Sequence, residues 1–420
     1  MADRNKTNPR QVALKCLIGM EKGIFLSDAM KEADRTSLRD EDRAFVTRLV
    51  KGVTEKRIYL DHVLGIYADI PTERMDKRVL CTLRMGAYQI LFMDNIPAYA
   101  AIDQSVRLVG AYRGGGFKRF VNAVLRNLER NAKSIPLPDP ESEKTGYYSI
   151  VYSIPEWIVE VFTERFGEEE ALRILRLSQR EAPVSFWINR FNEDSYKTEG
   201  TDLKEALEKG RCYIQDASSM KAIDRMRLDL EKGREGTLKI LDVCASPGGK
   251  SLYISNIMKE SAEYTLRDIS APKVRRINEN IDRLGRRDFM KAEIKDAAVY
   301  DPSDMEKYDI VIADVPCSGL GVLSRKPDIK YRVTRDDIEK LVSLQRKIID
   351  VSSRYVRKEG LFIYSTCTLT EEENEGNVRY ILKNHPFGLE TVEGGGAYGL
   401  QILPGEKNDG FFAAKLRKNG

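Results

Sequence analysis

Two cysteines stand in settings that could make them reactive: Cys317 in 314-DVPCSGLG-321 and Cys367 in 364-YSTCTLTEEEN-374. Each stands at or just past the end of an apolar run that reads as a strand, 308-YDIVIADV-315 and 360-GLFIYSTC-367. A single cysteine is most often a small buried hydrophobe. Two at the ends of neighbouring strands can share one crevice, where a thiolate could act as a covalent nucleophile. A free thiol titrates at about 8.5, so such a cysteine needs surroundings that favour its anion. A helix opening after Cys367 would help, and Glu371 to Glu373 would oppose it.

The second candidate is the stretch 240-ILDVCASPGGKS-251. It ends as a phosphate-binding loop does, but the pattern G-x-x-x-x-G-K-[ST] requires glycine where this chain has Cys244. The loop Cys244, Ala245, Ser246, Pro247, Gly248, Gly249 and Lys250 still follows a strand and opens a helix. Its two glycines let backbone approach a ligand closely. Asp268 then ends the second strand, Asp296 follows the third βα unit, and Asp314 ends the fourth strand. One carboxylate at a strand end is commonly a cap or turn residue. Three at successive strand ends suit a ligand with hydroxyls, an amine and a sulfonium cation, which describes S-adenosylmethionine. Asp268 is placed to accept ribose hydroxyls, and Asp296 to contact the base.

A thiolate beside S-adenosylmethionine points to methylation at carbon 5 of a pyrimidine. That carbon is a poor nucleophile until a thiolate adds to carbon 6 and electron density moves to carbon 5. Carbon 5 takes the methyl group, a base removes its proton, and the thiolate leaves. Covalent catalysis divides one difficult step into easier ones. Spacing alone leaves open which of Cys317 and Cys367 attacks.

The elements that must position these residues follow from periodicity. Residues 9 to about 133 read as all helix, with apolar residues at helical spacing in 11–20, 43–53, 78–93, 101–112 and 118–130. Pro97 and Gly114-Gly115-Gly116 punctuate them, and 135-IPLPDPESEKTG-146 reads as a linker. A mixed segment, 147–213, holds an amphipathic helix at 156–167 and a strand at 184–191. Beyond it, strands at 238–243, 263–269, 308–315 and 360–367 alternate with helices at 250–260, 272–284, 335–356 and 371–385. That rhythm predicts a parallel, doubly wound sheet with its site at the carboxyl ends of the strands. The expected domains are therefore 1–134, a linker 135–146, a small α+β subdomain 147–213, and an α/β domain 214–420.

Composition narrows the function class. The chain has 420 residues, 42% hydrophobic and 32% charged, as a soluble multidomain protein would. No apolar run reaches the roughly 18 residues of a membrane span. No signal-peptide pattern opens the chain, and six scattered cysteines without a C-x-x-C pair fit a reduced cytoplasm. Two histidines make His triads and His-rich metal sites poor candidates. The net charge of +4 conceals an asymmetry: residues 1–134 hold 24 Lys and Arg against 16 Asp and Glu. A basic N-terminal third fits a polyanionic partner.

These motifs carry a family resemblance. The C-terminal half resembles the RNA 5-methylcytosine methyltransferases of the NOL/NOP2/Sun family, through 215-QDASS-219, 244-CASPGGK-250, Asp268, Asp296, 314-DVPCSG-319, 325-RKPDIKYR-332, 365-STCT-368 and 409-DGFF-412. The N-terminal third resembles a NusB-type RNA-binding helical domain, through 9-PRQVALKCL-17, 43-RAFVTRLVKG-52, 83-LRMGAYQILFM-93 and 120-FVNAVLRN-127. Together they resemble the RsmB/Sun branch. The resemblance implies an all-α NusB-like domain, a small α+β segment and a Rossmann-like methyltransferase domain. It also implies S-adenosylmethionine as cofactor, small-subunit ribosomal RNA as partner, no metal, no membrane and a monomer in the cytoplasm. DNA cytosine methyltransferases attack with a Pro-Cys cysteine; the RNA family uses the Thr-Cys cysteine. The resemblance thus makes Cys367 the nucleophile and Cys317 the group assisting its release. Asp314 would lie near cytosine and cofactor, and Lys250 would serve the active-site loop. Ser246, Val315, Thr368 and the pair Phe186-Trp187 depart from residues common in the family. Transfer RNA as substrate, or a non-catalytic RNA-binding assembly factor, are the alternative readings.

Overall fold

The computed structural model describes residues 8–112, 115–191, 202–231, 237–258 and 262–420. They form two compact units, one of Met1–Gln179 with Lys326–Arg332, the other of Arg180–Arg325 with Val333–Gly420.

The first unit is all helix, as its apolar spacing predicts. It contains α1 (Pro9–Glu21), α2 (Leu26–Asp34), α3 (Asp40–Glu55), α4 (Arg57–Tyr67), α5 (Lys77–Phe92), α6 (Ala98–Gly110) and α7 (Gly115–Asn131), then α8 (Lys144–Tyr152), α9 (Glu156–Phe166) and α10 (Glu168–Leu177). Helix α5 is its axis. Every residue from Val79 to Gln89 is buried, and the Asp76 side chain caps it by accepting the N–H groups of Arg78 and Val79. Buried Arg84 on α5 is neutralised by Asp61 at 2.6 Å and Glu21 at 2.8 Å, as a buried cation must be. Helices α2 and α4 fall within the stretch read as all helix but were given no bounds, and α8 and α10 were not named; all four are short, 9 to 11 residues. The last three residues of the expected linker, Lys144 to Gly146, already belong to α8. Gly114 of the glycine run lies outside the described residues.

Residues 326–332 are part of this helical unit, although the chain on both sides belongs to the other. Asp328 accepts the Leu26 N–H at 3.0 Å, and Lys330 donates to the Glu55 carbonyl at 2.9 Å. The Arg57 guanidinium lies 5.1 Å from the centre of the Tyr331 ring. Lys330 is 3% exposed, and burial pulls its ammonium down to about 7.

The second unit opens with a two-stranded antiparallel ribbon, β1 (Phe186–Ile188) and β2 (Cys212–Ile214), separated by α11 (Leu203–Glu208) and followed by α12 (Ala217–Arg225). The strand expected over 184–191 is thus three residues long. Next come β3 (Leu238–Asp242), α13 (Gly249–Met258), β4 (Ala262–Asp268), α14 (Ala271–Arg283), β5 (Met290–Ile294) and β6 (Tyr308–Asp314). The chain ends with α15 (Arg335–Ser352), β7 (Val356–Thr366), α16 (Glu375–Asn384), β8 (Phe387–Glu390), β9 (Leu400–Ile402) and β10 (Phe411–Lys418). Residues 259–260 of the expected helix 250–260 lie outside the described residues.

The sheet order is β5-β4-β3-β6-β7-β10-β8, with β9 also on β10. Strands β3 to β7 pair in parallel, and each crossover helix packs on a face, giving the expected Rossmann-like layers. The sheet is mixed rather than wholly parallel, because β10 runs antiparallel to β7, β8 and β9. The run 411-FFAAKL-416 is buried throughout, which suits a strand flanked on both sides. The chain order reverses between β3 and β6, so the loops after these strands open into one crevice.

Candidate active site

Asp242 ends β3 and forms the floor. It is buried, accepts the Ser251 hydroxyl at 2.6 Å and the Cys244 N–H at 3.3 Å, and burial pushes its carboxyl up to about 7. The loop then turns through a cis Ser246–Pro247 peptide, and the Asn280 amide on α14 holds the Pro247 carbonyl at 2.9 Å. Gly248 has φ +101°, a conformation side chains rarely adopt, and a β-carbon there would meet Leu252 at 3.2 Å. Glycine is therefore required where the loop becomes α13.

Asp268 ends β4, is 6% exposed, accepts the Ser270 N–H at 3.3 Å and pairs with Lys273 at 3.3 Å. Asp296 follows β5, half-buried, and accepts the Ala298 N–H at 2.9 Å. Asp314 ends β6; it pairs with Lys250 and accepts the Ser365 hydroxyl at 2.8 Å. The Cys244 thiol is pushed up first by burial, then by the charges of Asp242, Asp314 and Asp268. Three carboxylates thus bear on one point of the loop. Two of the three are paired with Lys250 and Lys273, so the loop presents acceptors for hydroxyls rather than a cradle of free positive charge for phosphate. Burial pulls the Lys250 ammonium down, but Asp314 outweighs it and the net direction is up. Lys250 also lies 5.1 Å from the centre of the Phe411 ring, so it is committed within the site rather than offered to a phosphate.

The two thiols meet. Cys317 Sγ lies 3.3 Å from Cys367 Sγ and accepts the Cys367 N–H at 3.3 Å. Hydrogen bonding to Cys367, then burial, pushes the Cys317 thiol well up, with the negative charge of Glu373 acting the same way. Backbone holds the pair in place: Gly321 donates to the Cys367 carbonyl at 3.0 Å, and Gly410 donates to the Gly321 carbonyl at 2.7 Å. The motifs DVPCSGLG and DGFF therefore come together through two glycines.

No helix opens directly after Cys367, contrary to expectation. Helix α16 begins at Glu375, because the chain first tucks Thr370, Glu373 and Asn374 inward. Of the three glutamates, Glu371 and Glu372 are exposed and Glu373 is fully buried. Sequence reasoning did not single out Asp242, Ser365 or Gly321 as parts of this site, although Ser365 and Gly321 lie in the quoted motifs, and it weighed Glu373 only as one of three charges near Cys367. Trp187, a departure from the family pattern, is buried against Tyr213 and Tyr253 and donates to the Gln215 side chain at 2.9 Å. Phe186 points outward, 49% exposed.

The chain is 32% identical to the probable ribosomal RNA small subunit methyltransferase B of Bacillus subtilis, over 99% of this chain and 100% of that protein. It belongs to the RsmB family. A 28% identical relative, the ribosomal RNA small subunit methyltransferase B of Photorhabdus laumondii, is covered equally fully. The family model "16S rRNA methyltransferase RsmB/F" matches residues 227–417, and the "NusB family" model matches 7–130. The fold is that of the crystal structure of PH0851, with TM-score 0.79, 21% identity and coverage of 98% of this chain and 99% of that one. NSun6 from Pyrococcus horikoshii, solved with SFG, shares the fold over 64% of this chain and all of its own, with TM-score 0.53 and 23% identity. In this RsmB-family chain no described group of His, Cys, Asp and Glu is placed to hold a metal ion. No described helix is long and apolar enough to cross a membrane.

Proposed function

We propose that this RsmB-family methyltransferase forms 5-methylcytosine in small-subunit ribosomal RNA, using S-adenosylmethionine. The observation that carries this reading is the pair of thiols 3.3 Å apart, at the ends of adjacent strands beside a carboxylate-rimmed Gly-Gly loop. The names of the relatives support the substrate class.

When bound, S-adenosylmethionine supplies the methyl group. The residues present fit it: the turn at Gly248 has no side chain, and Asp268 and Asp296 stand at the carboxyl edge of β4 and β5 for its hydroxyls and base. Cys244 to Lys250 would line its methionine side, and Asp314 would border both cofactor and cytosine. Cys367, as thiolate, adds to carbon 6 of the cytosine, and carbon 5 becomes nucleophilic and is methylated. A base then takes the proton from carbon 5, the carbon–sulfur bond breaks, and Cys317 assists departure of Cys367. The basic helical unit binds the RNA.

RNA carrying 5-fluorocytosine at the target tests the chemistry, because fluorine cannot leave as a proton does. A covalent protein–RNA adduct is expected, and Cys367→Ala removes both adduct and methylation. Cys317→Ala is expected to accumulate adduct on unmodified RNA and to slow turnover by about 100-fold or more. An adduct that survives Cys367→Ala overturns the assignment.

A further inference from the structure

Beneath the two thiols lies a carboxylate that the proposed chemistry does not use. Glu373 is 0% exposed, and none of the ion pairs among the described residues includes it. Four neutral donors hold it instead: the Ser318 N–H at 2.9 Å, the Ser318 hydroxyl at 2.5 Å, the Thr370 hydroxyl at 2.7 Å and the Gln345 amide at 2.9 Å. A buried charge with no counter-ion is costly, and a neutral residue of similar shape could satisfy most of these donors. What the charge adds is a field, and it acts next to Cys317, whose neighbour Ser318 is bonded to it twice.

The surroundings of the two thiols are asymmetric. On the Cys317 side are Glu373 and the buried Tyr364, whose hydroxyl donates to the Glu373 carbonyl at 2.5 Å. On the other side the Lys250 ammonium, paired with Asp314, bears on Cys367. Other charged side chains nearby are occupied elsewhere: Asp409 with Arg325, and Arg346 of α15 with Asn377 and the Tyr380 ring.

We propose that Glu373 is a positioning residue that assigns the roles of the two cysteines. It holds the Ser318 peptide so that Cys317 faces the Cys367 N–H, and its charge adds to the Cys367 hydrogen bond and burial that keep Cys317 a neutral thiol. The thiol that ionises is then Cys367, which feels the Lys250 charge. Neutral Cys317 can hold the departing Cys367 thiolate through an S–H···S hydrogen bond, assisting release without giving up its proton. This rests on the cytosine-5 reading for its purpose, but its test does not.

The test is alkylation of the full chain by iodoacetamide as a function of pH, read separately at Cys317 and Cys367 by peptide mass spectrometry. In the wild type, Cys367 is expected to react with the lower midpoint; the opposite order overturns the proposal. Glu373→Gln should lower the Cys317 midpoint by about one pH unit, as loss of a nearby like charge does. Glu373→Asp keeps the charge and should leave that midpoint near the wild-type value. An unchanged midpoint in the glutamine variant, or a fall in the aspartate variant, shows that the charge does not set it. If the glutamine variant does not fold, the wild-type order and the aspartate variant still decide. No RNA or cofactor is needed, so failure to find 5-methylcytosine would sink the functional reading and leave this result standing.

Discussion

At Gly321 a β-carbon would fall 2.8 Å from the Cys367 carbonyl oxygen and 2.8 Å from that of Gly410. Backbone oxygens cannot swing aside as a flexible side chain can, so Gly321→Ala must push the Cys367 strand end away from Cys317. Displacements of about 1 Å at reacting groups cost about 100-fold in rate, while overpacking costs roughly 1–3 kcal/mol in stability. A kcat drop of that order with a folded protein is the expected outcome, measured as methyl transfer alongside a thermal melt. Single residues were legible where strand order delivers them: Cys317, Cys367, Asp268 and Asp314 all stand at or just past strand ends. Glu373 was not, since three consecutive glutamates look alike until the turn before α16 buries one. Its contact with Ser318 spans 55 positions of sequence.

Strand β3 delivers Asp242 into an apolar floor, and the consequence is a pH-dependent stability. Its folded value, about 7, lies above the usual unfolded value of about 3.9. The folded state therefore binds the extra proton between those values. The stabilisation is complete below about pH 4 and is lost as pH rises through about 7, on the order of a few kcal/mol. Asp242→Asn should remove this component, so that the urea midpoint changes less between pH 5 and pH 7.5 than in the wild type. Equal changes in both proteins would show that Asp242 does not titrate there. The parallel strands were legible because buried apolar runs alternate with amphipathic helices. Strand β5 was not named, being a short edge strand with Lys291 and Glu293 in it. Strand β10 was not named either; its first residues entered only through the motif 409-DGFF-412, and an apolar run says nothing about strand direction.

For the molecule as a whole, the excess of positive charge in residues 1–134 is the property that RNA would sense. Lys118 and Arg119 on α7 are exposed. Reversing both to glutamate in the full chain should weaken RNA binding about tenfold near 0.1 M salt. The dependence of log affinity on log salt should flatten by about 2. Unchanged binding would remove this face from the RNA path. The presence of a helical part and an α/β part was legible from the change in hydrophobic period. The membership of residues 326–332 was not, because nothing in RKPDIKYR announces which body its side chains will join. That membership bears on how the gene can be divided. A truncation at Gln179 would delete the catalytic half and also withdraw Lys330 and Tyr331 from the interior of the helical body, leaving Glu55 and Ser153 facing a hole. Each body draws on separate stretches of the reading frame, so neither is a clean segment that recombination or cloning could lift out whole.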